Sequence, residues 1–520
     1  MLPVPSDAIH SMVTGSSILA GIAAFVAQNR GWLCVFGGLL IHLVLGTLYI
    51  WGNITNAVTS YIRIYEPSVT YNESLMVYAT ALAFQGGTMF LGGVIERRIG
   101  AQKTCLIGGY VLVLGTLLSA AAKSLGVLII TDGVLFGIGL GMCYSGPIAA
   151  SVRWMPNRKG LVTGIIVAGF GGGSFLFGMI ATRVINPNQV NIKDTGSTDG
   201  YYNPESVVVH NVPKMFVTLG ICYFLFITFG SYMLSEPPLV VPNVMGGKEI
   251  SNSTATSESR SNVYHQVTRT ELDLENVANT DISNNDADSR LEKEVDIQLS
   301  PIHNITVIPL EIDDNKSRGD DLEVDLGPRE LLSHPLAWHL ASCFITTTVG
   351  GMYLAGTFKT YAQKEFTSEL FLSTLGSIAA VFNAVGRIFW GALADYVGPT
   401  ETLIAMSLVY SVLILTYSHS TGLGQSGFAF WTCCIFFFEG ANFALYLPIT
   451  VNLFGTKNSA ANYGLVFTCY SILNVINITI LAGFNTSFHN ASLSMGILTF
   501  IGFINLVLFY GHMKYRSINM

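Results

Sequence analysis

Charged residues are scarce in this sequence of 520 residues. Asp, Glu, Lys and Arg make up 11% of the chain, against roughly 25% in soluble globular domains, while 50% of the residues are hydrophobic and the mean hydropathy is +0.50. The eight cysteines form no CxxC pair, and the basic residues form no stripe of the kind that binds nucleic acid. No metal site, no cofactor and no nucleic-acid partner are therefore predicted, and the lipid bilayer is the expected solvent.

The acidic residues are concentrated in one segment. Residues 245–330 contain 19 Asp and Glu against 8 Lys and Arg, which leaves 14 acidic and 18 basic residues in the remainder of the chain. This segment is also poor in aromatic residues, so it cannot bury enough apolar surface to offset the entropy of ordering. Residues 237–334 are predicted to be a disordered acidic cytosolic linker.

Long apolar runs occupy most of the remaining chain. A helix needs about 20 mostly apolar residues to cross the hydrocarbon core, and without water such a run must be helical. Twelve runs qualify, and we call them spans 1 to 12: 32–54, 75–95, 104–122, 125–150, 160–182, 214–234, 336–358, 371–393, 401–419, 426–450, 462–483 and 493–512. They predict a first half at 32–236, a second half at 335–512 and a C-terminal tail at 513–520.

The N-terminal residues 1–31 contain a weaker apolar stretch at 8–28. No basic residue precedes this stretch, which argues against an ordinary secretory signal. A thirteenth span, an uncleaved targeting anchor and an amphipathic tail stay open, and we favour a tail or a targeting segment.

Short-loop Lys and Arg residues predict the orientation, because they collect on the cytosolic side. The loops after spans 2 and 4 and the C-terminal tail all carry such residues: Arg97, Arg98, Lys103, Arg153, Arg158, Lys159, Lys514 and Arg516. They lie on one side if span 1 begins in the cytosol. A multi-pass membrane protein with both termini in the cytosol is predicted, and the plasma membrane and an organelle membrane are both open.

The two halves repeat each other about 300 residues apart. The string GGVIERRIGAQK follows span 2 as GALADYVGPTET follows span 8, and Tyr144 and Pro147 recur as Tyr446 and Pro448. Duplicated six-helix halves place a binding site at their interface, where rocking exposes it to each side of the membrane in turn. This organisation predicts a carrier and not an enzyme.

The chain resembles the major facilitator superfamily. The loop pattern G-x-L-x-D-x-x-G of that family is present after span 8, with Gly391, Asp395 and Gly398, whereas the first-half copy has Arg97 where the acid usually lies. The strings GTLYIWG, RWMPNRKGLVTG, AGFGGG, NAVGRIFWGALAD and NYGLVFT narrow the resemblance to oxalate/formate antiporter-like and monocarboxylate carriers. It implies an all-α polytopic membrane protein of twelve transmembrane helices in two pseudo-symmetric six-helix halves.

Arg387 is the first candidate for binding a substrate. It lies inside span 8, and a charge inside the bilayer is expensive and usually marks a transport pathway. A guanidinium also holds a carboxylate through two hydrogen bonds. Asn383, one turn earlier, shares its helix face and is expected to orient Arg387 or to contact the ligand. The alternative is an Arg387 that pairs with Asp395 or with helix-end carbonyls.

The resemblance implies the rest of the substrate site. Oxalate carriers of this family place an Arg on the eighth helix and a Lys on the eleventh, and Tyr470 stands at the second of these positions. One fixed cation suits one carboxylate, because a second buried anion would stay unpaired at a cost of several kcal/mol. The family also builds an aromatic box at the positions that match the following residues: His42, Tyr49, Tyr144, Phe170 and Tyr446.

Three residues are candidates for binding a coupling proton. Glu439 lies near the middle of span 10, and removal from water favours the neutral form of a carboxyl group. His42 is the second candidate, because imidazole gains and loses a proton near neutrality. Asp132 on span 4 is the third and lies closer to the outer end.

The sequence as a whole predicts a monomeric secondary transporter of a small monocarboxylate, of the pyruvate, lactate or formate class. A carboxylate on Arg387 together with a proton on Glu439 would cross as a neutral pair, which is proton-linked symport. The alternatives are an anion exchanger of the oxalate/formate type and a non-transporting membrane sensor that signals through the acidic linker.

Overall fold

A computed structural model describes residues 29–188, 190, 192, 200–237, 325–366, 369–483 and 488–518. The N-terminal stretch at 8–28 and residues 238–324 of the predicted linker lie outside these ranges. The last ten residues of the predicted linker are described, and they contain a short helix at Pro328–Ser333.

The first half contains six spans. Spans 1 and 4 are interrupted: span 1 runs through Arg30–Leu45, a 3₁₀ segment Gly46–Ile50 and Trp51–Arg63, and span 4 runs through Leu125–Leu128, a π-helical segment Ile129–Leu135 and Phe136–Trp154. The others are Tyr71–Ile99 (span 2), Ala101–Ser119 (span 3), Lys159–Ile185 (span 5) and Val207–His210 followed by Val212–Met233 (span 6).

The second half also contains six spans. They are Pro335–Glu365 (span 7), Glu369–Val397 (span 8), Pro399–Thr416 (span 9), Gly424–Phe454 (span 10), Ser459–Gly483 (span 11) and Phe488–Ile518 (span 12). The predicted twelve-helix arrangement is therefore confirmed, and the described residues contain no strand.

The composition of these helices suits a bilayer. Nine helical stretches among the described residues are long and apolar enough to cross a membrane, and one of them, Pro399–Phe454, contains both span 9 and span 10. Large apolar side chains face outward along them, such as Phe229, Tyr232 and Leu508. In water this exposure would be unfavourable, whereas lipid solvates it.

The two halves pack against each other through spans 5 and 8 and through spans 2 and 11. Small residues allow close backbone approach at these contacts, as they commonly do between membrane helices. Gly160 packs on Gly391, and Gly93 packs on Ala460 and Ala461. These contacts lie at the end of the bundle that carries the loops predicted to be cytosolic, so the halves are closed together at that end.

Candidate functional site

Arg387 lies at the contact between the two halves. Its side chain is 2% exposed, its Nε donates to Asn383 Oδ1 at 2.8 Å, and its Nη1 donates to the Val167 carbonyl of span 5 at 2.9 Å. Gly164 and Gly440 allow their helices to approach span 8 this closely, because a Cβ at either position would overlap the backbone of span 8. The guanidinium is therefore held by neutral groups of both halves.

No ion pair compensates Arg387 among the described residues. Asp395, its predicted alternative partner, instead accepts hydrogen bonds from the Gly160 and Leu161 N–H groups at 2.7 and 2.8 Å. An anion at a helix N-terminus is stabilised by the unpaired N–H groups and by the helix dipole. Arg387 thus carries a buried charge with no carboxylate of the described residues within ion-pair distance, and Glu439 acts on it electrostatically from farther away.

Aromatic rings surround this charge. The guanidinium carbon lies 4.9 Å from the ring centre of Phe443 and 5.9 Å from that of Phe170. Phe170 in turn packs edge-on against Tyr49 at 5.3 Å and Tyr144 at 5.7 Å. Such faces stabilise a desolvated cation by about 2 kcal/mol.

A small cavity opens beside the guanidinium, and we call it the Arg387 cavity. The space open to the centres of water molecules is about 10 Å³, which is room for about one water. Its lining combines both halves: Tyr49, Leu82, Gln85, Tyr144, Phe170, Met352, Arg387, Phe443, Phe467 and Tyr470.

The structure brings five of the predicted substrate residues to this cavity: Arg387, Tyr49, Tyr144, Phe170 and Tyr470. The other three lie behind its wall. His42 packs edge-on against Tyr144 at 5.1 Å. Tyr446 stacks on Phe344 at 4.1 Å, and Asn383 contacts the guanidinium from its own helix. These three residues support the cavity from behind its wall and do not line it themselves.

Two of the three predicted proton-binding residues, Glu439 and His42, are buried close to the cavity but do not line it, whereas Asp132 lies elsewhere on span 4. Glu439 is 5% exposed; Tyr410 Oη donates to its Oε2, and Asn442 Nδ2 donates to the same oxygen at 3.2 Å. Its Oε1 has no hydrogen-bond partner among the described residues. His42 is also half satisfied, because Nδ1 contacts the Gly38 carbonyl at 2.9 Å and Nε2 has no described partner.

Gln85 is the cavity residue that the sequence reasoning missed. It lies on span 2, is 2% exposed, and its Oε1 has no hydrogen-bond partner among the residues described. A signal for it exists in the sequence, since a polar residue in the middle of an apolar span is a functional candidate. Leu82, Met352 and Phe467 carry no comparable signal.

The predicted loop motif lies at the closed end of the bundle. Asp395 caps the N-terminus of span 5, Gly391 packs on Gly160, and Gly398 ends span 8 with a φ of 107°. The degenerate first-half copy forms a different contact, because Glu96 pairs with Arg153 of its own half.

Comparison with known proteins agrees with the fold. The family model described as Major Facilitator Superfamily matches residues 45–478 and 340–517. Apicoplast pyruvate carrier 1 of Toxoplasma gondii is 25% identical over 514 residues, which covers 89% of this chain and 85% of that protein. The oxalate:formate antiporter of Oxalobacter formigenes is 20% identical and covers 91% and 90%. Human monocarboxylate transporter 14 is 23% identical and covers 85% and 82%.

Solved structures show the same fold. The proton:xylose symporter XylE, bound to 6-bromo-6-deoxy-D-glucose, superimposes with a TM-score of 0.61 at 12% identity and covers 92% of this chain and 95% of its own. FucP in the outward conformation superimposes with a TM-score of 0.57 and covers 91% and 98%. Together with the family match over most of its length, this likeness shows that the chain is a multi-pass membrane transporter that belongs to the Major Facilitator Superfamily.

Proposed function

We propose that this transporter carries a small monocarboxylate, of the pyruvate, lactate or formate class, by alternating access. The observation that supports this is the buried Arg387 guanidinium, which has no carboxylate partner among the described residues and faces an aromatic cavity. A carboxylate would supply the missing negative charge through two parallel hydrogen bonds. The names of three full-length relatives, a pyruvate carrier, a monocarboxylate transporter and an oxalate:formate antiporter, agree with this class of substrate.

A single negative charge fits this cavity better than two. Arg387 is the one cationic residue among the described lining residues, and Tyr470 occupies the span 11 position at which oxalate carriers of the resembled family have a Lys. Tyr470 stacks on Phe344 at 4.6 Å, so a second carboxylate would meet a ring and no cation. Leaving that carboxylate unpaired would cost several kcal/mol.

Transport requires the halves to separate around this cavity. The present space has room for about one water, which is less than any carboxylate needs. Spans 2, 5, 8 and 11 hold the halves together at one end, so entry from the other end and release after the contacts part would give alternating access.

We infer that the transported anion moves with a proton. Glu439 has a carboxyl oxygen with no described partner, and His42 has a free ring nitrogen; both lie one layer behind the cavity. A proton on Glu439 and an anion on Arg387 would make the loaded carrier electrically neutral inside the membrane, where a net charge is costly. Glu439 is the preferred proton site and His42 is the second.

Anion exchange is the second candidate mechanism. The likeness to the oxalate:formate antiporter over 91% of the chain favours it. One cation can exchange one monoanion for another without a proton site. A proton gradient distinguishes the two mechanisms, because it drives symport and exchange does not require it.

The substrate class is tested with purified protein in liposomes, by comparing uptake of labelled pyruvate, lactate, formate and oxalate. We expect uptake of the three monoanions and little uptake of oxalate. Arg387→Lys keeps the charge but loses the planar fork, and the loss of charged hydrogen bonds of about 1.5–3 kcal/mol each corresponds to about 10- to 150-fold weaker binding. Arg183→Lys, at an exposed end of span 5, is the matched control and should behave like the native chain. Preferred uptake of oxalate, or native uptake by Arg387→Lys, would contradict the proposal.

Coupling is tested by imposing a proton gradient, acidic outside, on the same liposomes. We expect the gradient to stimulate pyruvate uptake in the native chain, and Glu439→Gln to lose this stimulation because the amide cannot carry the proton. Glu401→Gln, at the N-terminus of span 9, serves as the control carboxyl. A native chain that ignores the gradient but exchanges internal for external pyruvate would establish exchange instead.

A further inference from the structure

A second cavity lies wholly inside the first half, and we call it the Asp132 cavity. Its walls come from spans 1, 2, 3, 4 and 6, and the space open to water centres is about 30 Å³, which is room for about two waters. The Arg387 cavity shares no lining residue with it. It is therefore a separate site within the helix bundle.

Polar groups converge on this second cavity. The Asp132 carboxylate lines it and has no hydrogen bond or ion pair among the described residues. Trp51, which is 5% exposed, also lines it, and its Nε1–H has no hydrogen-bond partner among those residues. The indole N–H is thus a buried polar group without a described partner, and such groups are rare and call for an explanation.

The groups that face Asp132 exclude a fixed counter-ion. The described lining residues include no Lys, Arg, His or second carboxylate, and the titratable groups that face Asp132 are Tyr78 of span 2 and Tyr223 of span 6. Thr47 of span 1 and Thr116 of span 3 already donate their hydroxyl protons to backbone carbonyls. A carboxylate in this setting has no fixed positive charge to offset the cost of its own charge in a low-dielectric interior.

A proton fits this cavity better than a metal cation. A cation needs several oxygen ligands, and the cavity offers one carboxylate. Its one buried polar side-chain atom without a described partner is a donor, Trp51 Nε1. An N–H donor is satisfied by a carboxyl oxygen or a water molecule and is repelled by a cation.

The backbone is irregular on two sides of the cavity. Asp132 lies in the π-helical segment Ile129–Leu135, and Thr47, Leu48 and Ile50 lie in the 3₁₀ segment Gly46–Ile50. Irregular helical backbone at membrane depth is tolerated where it lines a cavity, and π segments often lie at functional sites.

The 3₁₀ segment of span 1 connects the two cavities. Its Tyr49 lines the Arg387 cavity, while its neighbours Leu48 and Ile50 line the Asp132 cavity. Gly46 packs directly on the Phe170 carbonyl, so a shift of this segment would be transmitted to the aromatic wall around Arg387.

We propose that Asp132 is a proton-binding site inside the first half, linked to the Arg387 cavity through residues 46–51. Protonation removes the charge that lines this cavity and lets Trp51 and the 3₁₀ segment repack, which favours the arrangement of Tyr49 that accepts the anion. The linkage to substrate rests on the proposed monocarboxylate transport; the binding of a proton by Asp132 does not.

The proton site is tested by titrating the fluorescence of Trp51 in substrate-free protein. The contribution of Trp51 is obtained by subtracting the fluorescence of Trp51→Phe from the fluorescence of the native chain. We expect one transition with pH that is lost in Asp132→Asn and retained in Glu401→Gln, the control carboxyl at the N-terminus of span 9. No transition, a transition that persists in Asp132→Asn, or one that is lost in Glu401→Gln would overturn the assignment.

The linkage is tested by adding pyruvate during the same titration. Binding is reciprocal, so if protonation strengthens pyruvate binding, pyruvate must shift the midpoint to higher pH. We expect this shift in the native chain and its loss in Arg387→Ala, with the transition itself unchanged. A native chain that transports pyruvate without a shift would overturn the linkage, whereas a chain that transports none of the monoanions would refute the proposed function and leave the proton site standing.

Discussion

The Arg387 guanidinium has five N–H groups, and two of its nitrogens are held by protein acceptors. Nε bonds to Asn383 and Nη1 to Val167, and the ring of Phe443 lies over the guanidinium carbon. These contacts fix the plane of the side chain, and the hydroxyl of Tyr144 is a further hydrogen-bond partner of the guanidinium. Because the orientation is set before a ligand binds, less entropy is lost on binding.

We expect Gln85 to contact the group next to the carboxylate. Its amide lies in the same small cavity as the guanidinium but on the opposite half. We expect Gln85→Leu to weaken pyruvate binding by about 2- to 10-fold, the equivalent of about 0.5–1.5 kcal/mol for one hydrogen bond. Acetate, which lacks the 2-keto oxygen, should bind the variant as it binds the native chain. Inhibition of labelled pyruvate uptake by each acid measures both affinities.

The comparison of the two acids separates a polar contact from a packing defect. Gln85→Leu is close in volume, so the cavity wall is preserved. An equal loss for pyruvate and acetate would assign Gln85 to packing and contradict a role in recognition. Leu91→Ala, an exposed position on the same span, is the control for expression and insertion.

The residue-scale predictions from the sequence depended on the kind of residue. Because a buried cation is energetically expensive, the place of Arg387 in span 8 was enough to make it a candidate site residue. Aromatic residues pack equally well in the wall or behind it, and the structure accordingly separates Tyr49 and Tyr144 from Tyr446. Helical spacing predicts which face of a helix a residue occupies. It does not predict whether that residue lines a cavity or lies one layer behind it.

At the scale of elements, hydropathy predicted the existence of the spans but not their irregular turns. The π segment of span 4 and the 3₁₀ segment of span 1 are as apolar as the helix around them. Their form depends on neighbours: Gly133 packs on Thr80, and Gly46 packs on Phe170. Such tertiary contacts cannot be read from the periodicity of one helix.

The junction of spans 5 and 8 is the element contact that we expect to govern opening. Asp395 accepts two N–H groups at the first turn of span 5, and it belongs to the other half. Asp395→Asn keeps one acceptor oxygen but removes the negative charge at this helix N-terminus, and such a charge is worth about 0.3–1 kcal/mol and up to about 2 kcal/mol where it is partly buried. We expect the ratio of open to closed molecules to rise by up to about 30-fold.

Spin labels at exposed Arg158 and Lys457 measure this opening. The two positions lie in equivalent loops of the two halves, so pulsed distance measurements should show a larger population of long distances in Asp395→Asn. Glu401→Gln is the control, since Glu401 lies in the first turn of span 9, outside this contact. An unchanged distance distribution would remove Asp395 from the closing contact.

On the scale of the whole molecule, the internal repeat predicted two equivalent halves, but the two equivalent loops are held by different acids. The loop before span 5 is held by Asp395 of the other half, as the intact motif suggests. The loop before span 11 is bound by Asp325, whose Oδ1 accepts from the Lys457 N–H at 3.0 Å. Asp325 belongs to the acidic segment, whose composition predicts no fixed contacts. The sequence therefore offered no signal that the end of this segment would contact the loop.

The end of this segment is attached to the second-half loop by its backbone as well. The Leu326 N–H donates to the Phe454 carbonyl at 3.0 Å, and the Leu326 carbonyl accepts from Asn458 and Asn462 at 3.0 and 3.1 Å. Since these bonds join residues more than 120 positions apart, movement of the loop before span 11 must break them or carry the segment with it.

Hydrogen exchange at residues 325–333 therefore reports on the loop before span 11. Removing both amides in Asn458→Ala with Asn462→Ala deletes two hydrogen bonds of about 1 kcal/mol each, so exchange there should accelerate by about 5- to 30-fold. Asn211→Ala, which removes an equivalent amide-to-carbonyl bond to Ile185 in the first half, is the matched control. If the double variant exchanges at the native rate, the segment is held independently of this loop. If pyruvate also changes the rate in the native chain, the second-half loop moves when the substrate binds, because the contacts of Leu326 can loosen only when Phe454 or the two Asn side chains shift.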